Sequence, residues 1–311
     1  MAVDAARVEA LQARVEALAG EIDGVVGVYA QELASGATVT VNPDLVFPMA
    51  SVVKVPILYE LYRQVEAGTA DLDRRIAFEQ RHMVPGSGIL QDLAFGLMPT
   101  LKDLATLMIT VSDNAATDMV LEEIGVGRVE AAMRELGLAS IAIPMPIRGI
   151  LYNTVGLDAA NPEHTYALYQ QRTKENYIDW NCRAYGDVEN NVASPRDLAA
   201  LLADIERRAT LSPGSCTAMI DIMRRQKYNT IIPLHLPSEA TVAHKTGSLR
   251  GIRNDAGIVY APGLTYTIAL CSKRLADPVA GAAGLALISR AIWEGFVGPI
   301  PPSSWGPQPA S

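Results

Sequence analysis

Charge is scarce in this chain of 311 residues: only 19% of positions are Asp, Glu, Lys or Arg, against 49% hydrophobic. So much apolar mass for so little charged surface excludes a largely disordered chain. Basic runs are missing as well. Lys and Arg total 26 against 34 for Asp and Glu, a net charge of −8, which argues against nucleic acid or an anionic membrane and leaves a small molecule or peptide as the expected partner. The three cysteines, Cys182, Cys216 and Cys271, are odd in number, widely spaced and without a C-x-x-C pair, so neither a disulfide framework nor a zinc knuckle is indicated. Histidine is equally sparse, and His82, His164, His235 and His244 show no metal spacing; no metal or other cofactor is expected.

Long apolar runs are absent too. The longest uncharged stretch, Ala256 to Ser272, is cut by Pro262 and Gly263 and reads as a β-hairpin instead of a membrane span. The first residues set Val8, Leu11, Val15 and Leu18 along one helical stripe, with no basic region followed by a continuous apolar one. The chain as it stands is expected in the cytoplasm, or in the periplasm or outside the cell if a leader has been removed. There is no Gly-x-Ser-x-Gly elbow, His-Glu-x-x-His pair, P-loop or full Gly-x-Gly-x-x-Gly, so α/β-hydrolase, zinc-peptidase and nucleotide-enzyme readings lack their residues.

What is present has a clear order. A hairpin around Ser35-Gly36 follows the first helix, and a second helix starts near Ala50, with Pro56 in its opening turns and Gly68 closing it. Leu101 to about Gly137 is helical with one break at Ser112-Asp113-Asn114, and Ile141 to Asn191 is irregular and too long for an ordinary connection. Ser194-Pro195 opens another helix. Three strand-like segments follow, at 240–248, 253–262 and 264–273, and then a helix from Val279 to Phe296. Strands at both ends with helices between them predict an α/β fold. Its mainly antiparallel sheet would come from about 1–50 and 195–300, its helical lobe from about 51–194, and 301–311 would be a loose tail.

Three short segments carry chemistry. Ser51 and Lys54 stand three apart at a helix start, so they share a face about 5–6 Å apart, and a neutral Lys54 is placed to take the Ser51 proton. Ser112-Asp113-Asn114 put a hydroxyl, a carboxylate and an amide on one turn, where they can relay a proton and bind an amide. In His244-Lys245-Thr246-Gly247-Ser248, a lysine and a hydroxyl on an edge strand can meet a carboxylate. Gly247 lets a substrate backbone approach, and the Ser248 amide can serve as an oxyanion donor. Singly, each segment reads equally well as a helix cap or a turn.

Taken in this order and in these contexts, the three segments resemble the motifs of the class A β-lactamase-like, penicillin-recognising serine hydrolases. The resemblance runs from about Ile22 to Phe296 and includes Phe47-Pro48-Met49-Ala50, Leu104 to Thr117 and Arg253-Asn254-Asp255-Ala256-Gly257. It implies a β-lactamase-like fold and a β-lactam, amide or ester substrate. Carried over, it makes Ser51 the acylated nucleophile, Lys54 its base or proton shuttle, and Ser112 the donor to the leaving nitrogen. Asn114 would touch the substrate amide, Lys245 and Thr246 would position its carboxylate, and the backbone amides of Ser51 and Ser248 would form the oxyanion hole. Arg250 and Arg253 lie close enough along the chain to add charge for that carboxylate. One departure stands out: the family's deacylating glutamate, in a Glu-x-x-x-Asn element, has no counterpart between Ile141 and Asn191. Glu175 is the stand-in by its distance before Ser194-Pro195, with Glu163, Asp179 and Glu189 behind it. A slowly turning-over penicillin sensor and a D-Ala-D-Ala peptidase are the alternatives, and the oligomeric state is left open.

Overall fold

β-branched and aromatic residues crowd the two ends of the chain, and there the backbone pairs. In the computed structural model, which describes residues 5–300, strands β1 (Val25–Glu32), β2 (Thr38–Val41), β5 (Thr241–Leu249), β6 (Ile252–Ala261) and β7 (Leu264–Lys273) form one antiparallel sheet in the order β2-β1-β7-β6-β5. The N-terminal hairpin thus pairs with the C-terminal strands, Val28 facing Leu270, and β5 is left as the edge strand. Two-residue strands β3 (Phe47–Pro48) and β4 (Val192–Ala193) pair separately. The tail at 301–311 lies outside the described residues.

Each sheet face is covered by helices because the strands bury both sides. On one face, α1 (Ala5–Gly20) and α10 (Pro278–Phe296) pack Leu11, Val15, Leu285, Ile292 and Phe296 against Val28 and Ile268. Helix α10 is long and apolar enough to cross a membrane by composition, yet this packing makes it a core helix. On the other face, α8 (Pro195–Arg207) contributes Leu198, Leu202 and Ile205 to a larger core shared with α2 (Lys54–Glu66). Helix α2 is the axis of the helical part, its residues from Lys54 to Tyr62 all buried. Pro56 sits in its first turn, where a missing N–H costs no helical bond.

The helical part differs from the sequence expectation in three places. The stretch after Ser112 is divided again: α4 (Asn114–Ile124) and α5 (Val126–Glu135) meet at Gly125, whose φ of +83° no helix continues through. The irregular stretch holds two helices, α6 (Ile147–Thr154) and α7 (Tyr166–Lys174). A further helix, α9 (Pro213–Met223), begins with Ser212 capping it and Pro213 in the first turn, the same signal that marks α8. Helix α3 (Leu101–Thr110) ends where expected, just before Ser112.

Candidate active site

Ser51 lies on a 3₁₀ turn, Ala50–Val53, that runs directly into α2. The turn is held under strain: Ala50 has a φ of +48°, a left-handed conformation that a residue with a Cβ adopts only when its surroundings impose it. Two strands impose it. Buried Asn254 on β6 donates from Nδ2 to the carbonyls of Pro48 and Met49, at 2.8 and 3.1 Å, and Met49 N donates to Asn191 O at 2.9 Å. On β5, Gly247 presses against the same turn. A Cβ there would stand 2.5 Å from Met49 O and 3.1 Å from Ser51 N. The space Gly247 leaves open is therefore filled by the turn that bears Ser51, not by a substrate backbone as the sequence suggested.

Lys54 is fully buried, and its ammonium group is held at one point by three acceptors. Nζ donates to Ser112 O at 2.8 Å, Ser112 Oγ at 3.1 Å and Asn114 Oδ1 at 2.7 Å. Burial drives its pKa well below the usual 10.5 and the charge of Lys245 pushes the same way, while Asp113 and Asp118 oppose both. Ser112 has a φ of +55°, a second strained residue in the cluster, which turns both its carbonyl and its hydroxyl onto the lysine. Asn114 spends Oδ1 on Lys54 and one Nδ2 proton on Pro85 O at 2.8 Å, which leaves a second amide proton for a ligand.

Asp113 has a different task from its neighbours. Its carboxylate caps α4 through Ala116 N at 2.9 Å and holds Ile89 N and Leu90 N at 2.7 and 2.9 Å. It anchors the Gly86–Leu90 loop and is sealed from the pocket. That loop brings in Ser87, a residue the sequence reading passed over, whose hydroxyl donates to Ser112 O at 2.7 Å.

Lys245 is buried behind β5 and donates to Thr246 O at 2.8 Å. Burial pushes its pKa down to about 7, opposed by Asp255 across the strand pair. The same Asp255 accepts from Ile232 N at 3.0 Å and contacts His244 Nδ1 at 2.8 Å, while His244 Nε2 meets Asn229 Oδ1 at 3.2 Å. His244 and Asp255 thus tie the 229–232 segment to the lysine strand.

Ser51, Ser112, Asn114, Thr246 and Ser248 converge on one cavity of about 340 Å³. Ser87, Tyr228 and Thr230 complete its polar rim, and one wall is apolar: Ile147, Ile150 and Leu151 of α6. That wall is fixed from behind, because Pro146 offers no capping side chain and Asp118 takes the free amides of Ile147 and Arg148 at 2.7 and 2.9 Å. Among the described residues that line the cavity there is no carboxylate.

Both arginines and all four candidate carboxylates named from the sequence fall outside the cavity. Glu175 is exposed at the end of α7, bonded to Gln171 Nε2 at 3.0 Å. Its distance from Ser194-Pro195 was counted across the irregular stretch 176–191, and Glu175 itself closes α7, a helix the sequence reading did not place. Arg253 turns back onto its hairpin, donating to Leu249 O and Ile252 O, both at 2.8 Å. Arg250 points into a separate cleft. Glu163 and Glu189 are exposed, and Asp179 caps Asn181 N at 3.0 Å; none of the three lines the cavity.

This fold, with a lysine and two hydroxyls gathered around a strained serine turn, defines a serine hydrolase of the β-lactamase type. The chain belongs to the beta-lactamase enzyme family, whose model (Beta-lactamase2) matches residues 10–296. It is similar to a beta-lactamase of Streptomyces albus G, 29% identical over 245 residues that cover 76% of this chain and 68% of that one. Among solved structures, a beta-lactamase from Sphaerobacter thermophilus is 30% identical with a TM-score of 0.76, covering 96% of this chain and 100% of its own. The protein PBP-A is 31% identical with a TM-score of 0.76, over 92% of this chain and 96% of its own. A leucine-to-glutamate mutant of PBP-A has been solved as an acyl-enzyme complex with penicillin G.

Proposed function

We propose that this hydrolase works through an acyl-Ser51 intermediate on a β-lactam, amide or ester, and that it releases a bulky penicilloyl group slowly. The single observation behind the first half is the Lys54 cluster. Lys54 is buried beside hydroxyl, carbonyl and amide acceptors, and with its pKa far below normal it has a neutral fraction to act as a base. In the reading we favour, neutral Lys54 takes the Ser51 Oγ proton as Oγ attacks the carbonyl carbon. The amides of Ser51 and Ser248 hold the developing oxyanion, and Ser112 gives its proton to the leaving nitrogen or oxygen. Lys54 then returns a proton to Ser112 across the 3.1 Å contact. Lys245 and Thr246 attract a substrate carboxylate.

The apolar α6 wall supports the second half. Hydrolysis of the ester needs a water held and deprotonated near the acyl carbonyl, and Ile147 and Leu151, four apart on one helix face, offer neither an acceptor nor a base. The same wall favours an apolar acyl group. That PBP-A, as a mutant, has been captured with penicillin G makes penicillin G the first probe. Intact-mass spectrometry of the wild type with penicillin G should show one added penicilloyl group that persists for minutes, alongside continuous turnover of p-nitrophenyl esters. No adduct and no turnover with either probe would refute the acyl-Ser51 reading, and rapid penicillin turnover without accumulation would refute slow release.

A further inference from the structure

The long segment between the second and third motifs is not spent on a deacylating carboxylate, and part of it builds something else. Beyond Ser248 and Leu249, which line the catalytic cavity, the β5–β6 turn enters a second cleft of about 410 Å³. Trp180 and Tyr185 form one wall, their rings 5.1 Å apart and inclined by 35°. Trp180 is 57% exposed, an unusual position for so large an apolar surface. The β5–β6 turn packs beside it. Gly251 has a φ of +68°, and a Cβ there would touch the indole at 3.8 Å, while Gly251 O accepts from Leu275 N at 2.9 Å and locks the turn against the end of β7.

The opposite wall is cationic in a chain whose net charge is −8. Lys273 lines the cleft but is neutralised by Asp187 at 2.6 Å. Arg250 and Arg274 are exposed, and among the described residues neither has an ion pair or hydrogen bond. Arg274 is also held at a φ of +57°, a strained conformation at the end of β7 that needs a reason. No carboxylate lines the cleft among the described residues. Two free guanidinium groups suit a carboxylate, and an exposed Trp beside a Tyr offers a flat face to a ring.

We propose that this cleft is a distal part of the substrate groove, taking a ring that bears a carboxylate. The ring would lie on Trp180, with the carboxylate between Arg250 and Arg274. The proposal rests on the reading that Ser51 is acylated by esters or amides, and its test separates the two. In the Ser51→Ala variant, which needs no acylation, benzoate and glucuronate are titrated against Trp180 fluorescence, with Trp180→Phe as the signal control and benzamide and glucose as neutral rings. At least one anionic ring should bind saturably and several-fold more tightly than its neutral partner. Arg250→Gln with Arg274→Gln should weaken it about tenfold. In the wild type, a p-nitrophenyl ester whose acyl chain ends in a carboxyphenyl group should show a lower KM than its carbamoylphenyl counterpart, and the double variant should erase that difference. Equal binding of charged and neutral rings, unchanged binding in the double variant, or a KM difference that survives it would overturn the proposal. If the wild type neither turns over an ester nor gains a penicilloyl group, the acyl-Ser51 reading fails, and the fluorescence titration still decides whether the cleft binds.

Discussion

The catalytic cavity has two unlike walls. The β5 side is polar and held from behind by buried charge: Thr246 and Ser248 face the cavity while Lys245, Asp255 and His244 stand behind them. The α6 side is Ile147, Ile150 and Leu151, backed by Asp118, whose carboxylate is spent on the backbone amides of Ile147 and Arg148. Forming an acyl bond needs a nucleophile, a base, a proton donor and an oxyanion site, all of which lie on or beside the first wall. Breaking it with water needs a base on the second. On the acyl-Ser51 reading we propose, the contrast separates the groups that would form the acyl bond from the apolar wall beside which water would have to break it.

The contrast can be broken most completely at Ser51. Ser51→Ala should show no acyl adduct by intact mass with penicillin G or with any ester, since Ser51 alone of the cavity hydroxyls stands at the start of the helix that carries Lys54, while Ser112 already accepts from Lys54 Nζ. Next in size is Gly247→Ala. Its Cβ would stand 2.5 Å from a backbone oxygen, so the strand or the serine turn must shift, and acylation rates should fall about a hundredfold with far-ultraviolet dichroism unchanged. A fall of less than threefold would show that the close approach is not needed.

The second wall can be converted. Ile147→Glu with Leu151→Asn places an acid and an amide four apart on the α6 face, with the glutamate at a helix N-terminus that favours its charge. The penicilloyl adduct should then be lost about tenfold to a hundredfold faster, measured as adduct lifetime, and an unchanged lifetime would separate slow release from the apolar wall. A subtler effect concerns pH. Lys245 is charged below its pKa of about 7 and neutral above it. The KM for carboxylate-bearing substrates should therefore rise as pH passes upward through that value, while neutral esters keep theirs. Lys245→Ala should remove the pH step and raise KM for the carboxylates alone, about threefold to tenfold, by the loss of the positive charge that stands behind Thr246. Smallest of all, Glu175→Gln should change adduct lifetime by less than about twofold, because the carboxylate is exposed and bonded to its own helix. A hundredfold change would return the base to Glu175.

Local signals carried the fold a long way. Period-two strands at both ends and period-3.6 segments between them predict the antiparallel sheet and its helices, and the order of Ser51-Lys54, Ser112-Asp113-Asn114 and Lys245-Thr246-Gly247 predicts the family. Helix α9 was missed, although Ser212-Pro213 is the same pair of residue types that marks α8. The break at Gly125 was harder to see, since a lone glycine in a helical pattern is tolerated more often than it ends a helix.

What the chain by itself determined is which residues can do chemistry: a serine and a lysine one turn apart, an amide and hydroxyl at a helix boundary, a lysine on a strand. Those follow from spacing within one element. Only the tertiary structure decided which of them meet, because contact across elements depends on register and packing that no single segment encodes. It buried Lys54 and Lys245 and so lowered both pKa values, which a sequence with two ordinary lysines does not disclose. It set Gly247 against the Ser51 turn, drew Ser87 and Asn254 into the site, and turned Asp113 into an anchor. It also carried Glu175, Arg250 and Arg253 away from it. Distance along the chain stands in for distance in space only inside a helix or strand, and those last three residues were placed by counting across a loop or a turn.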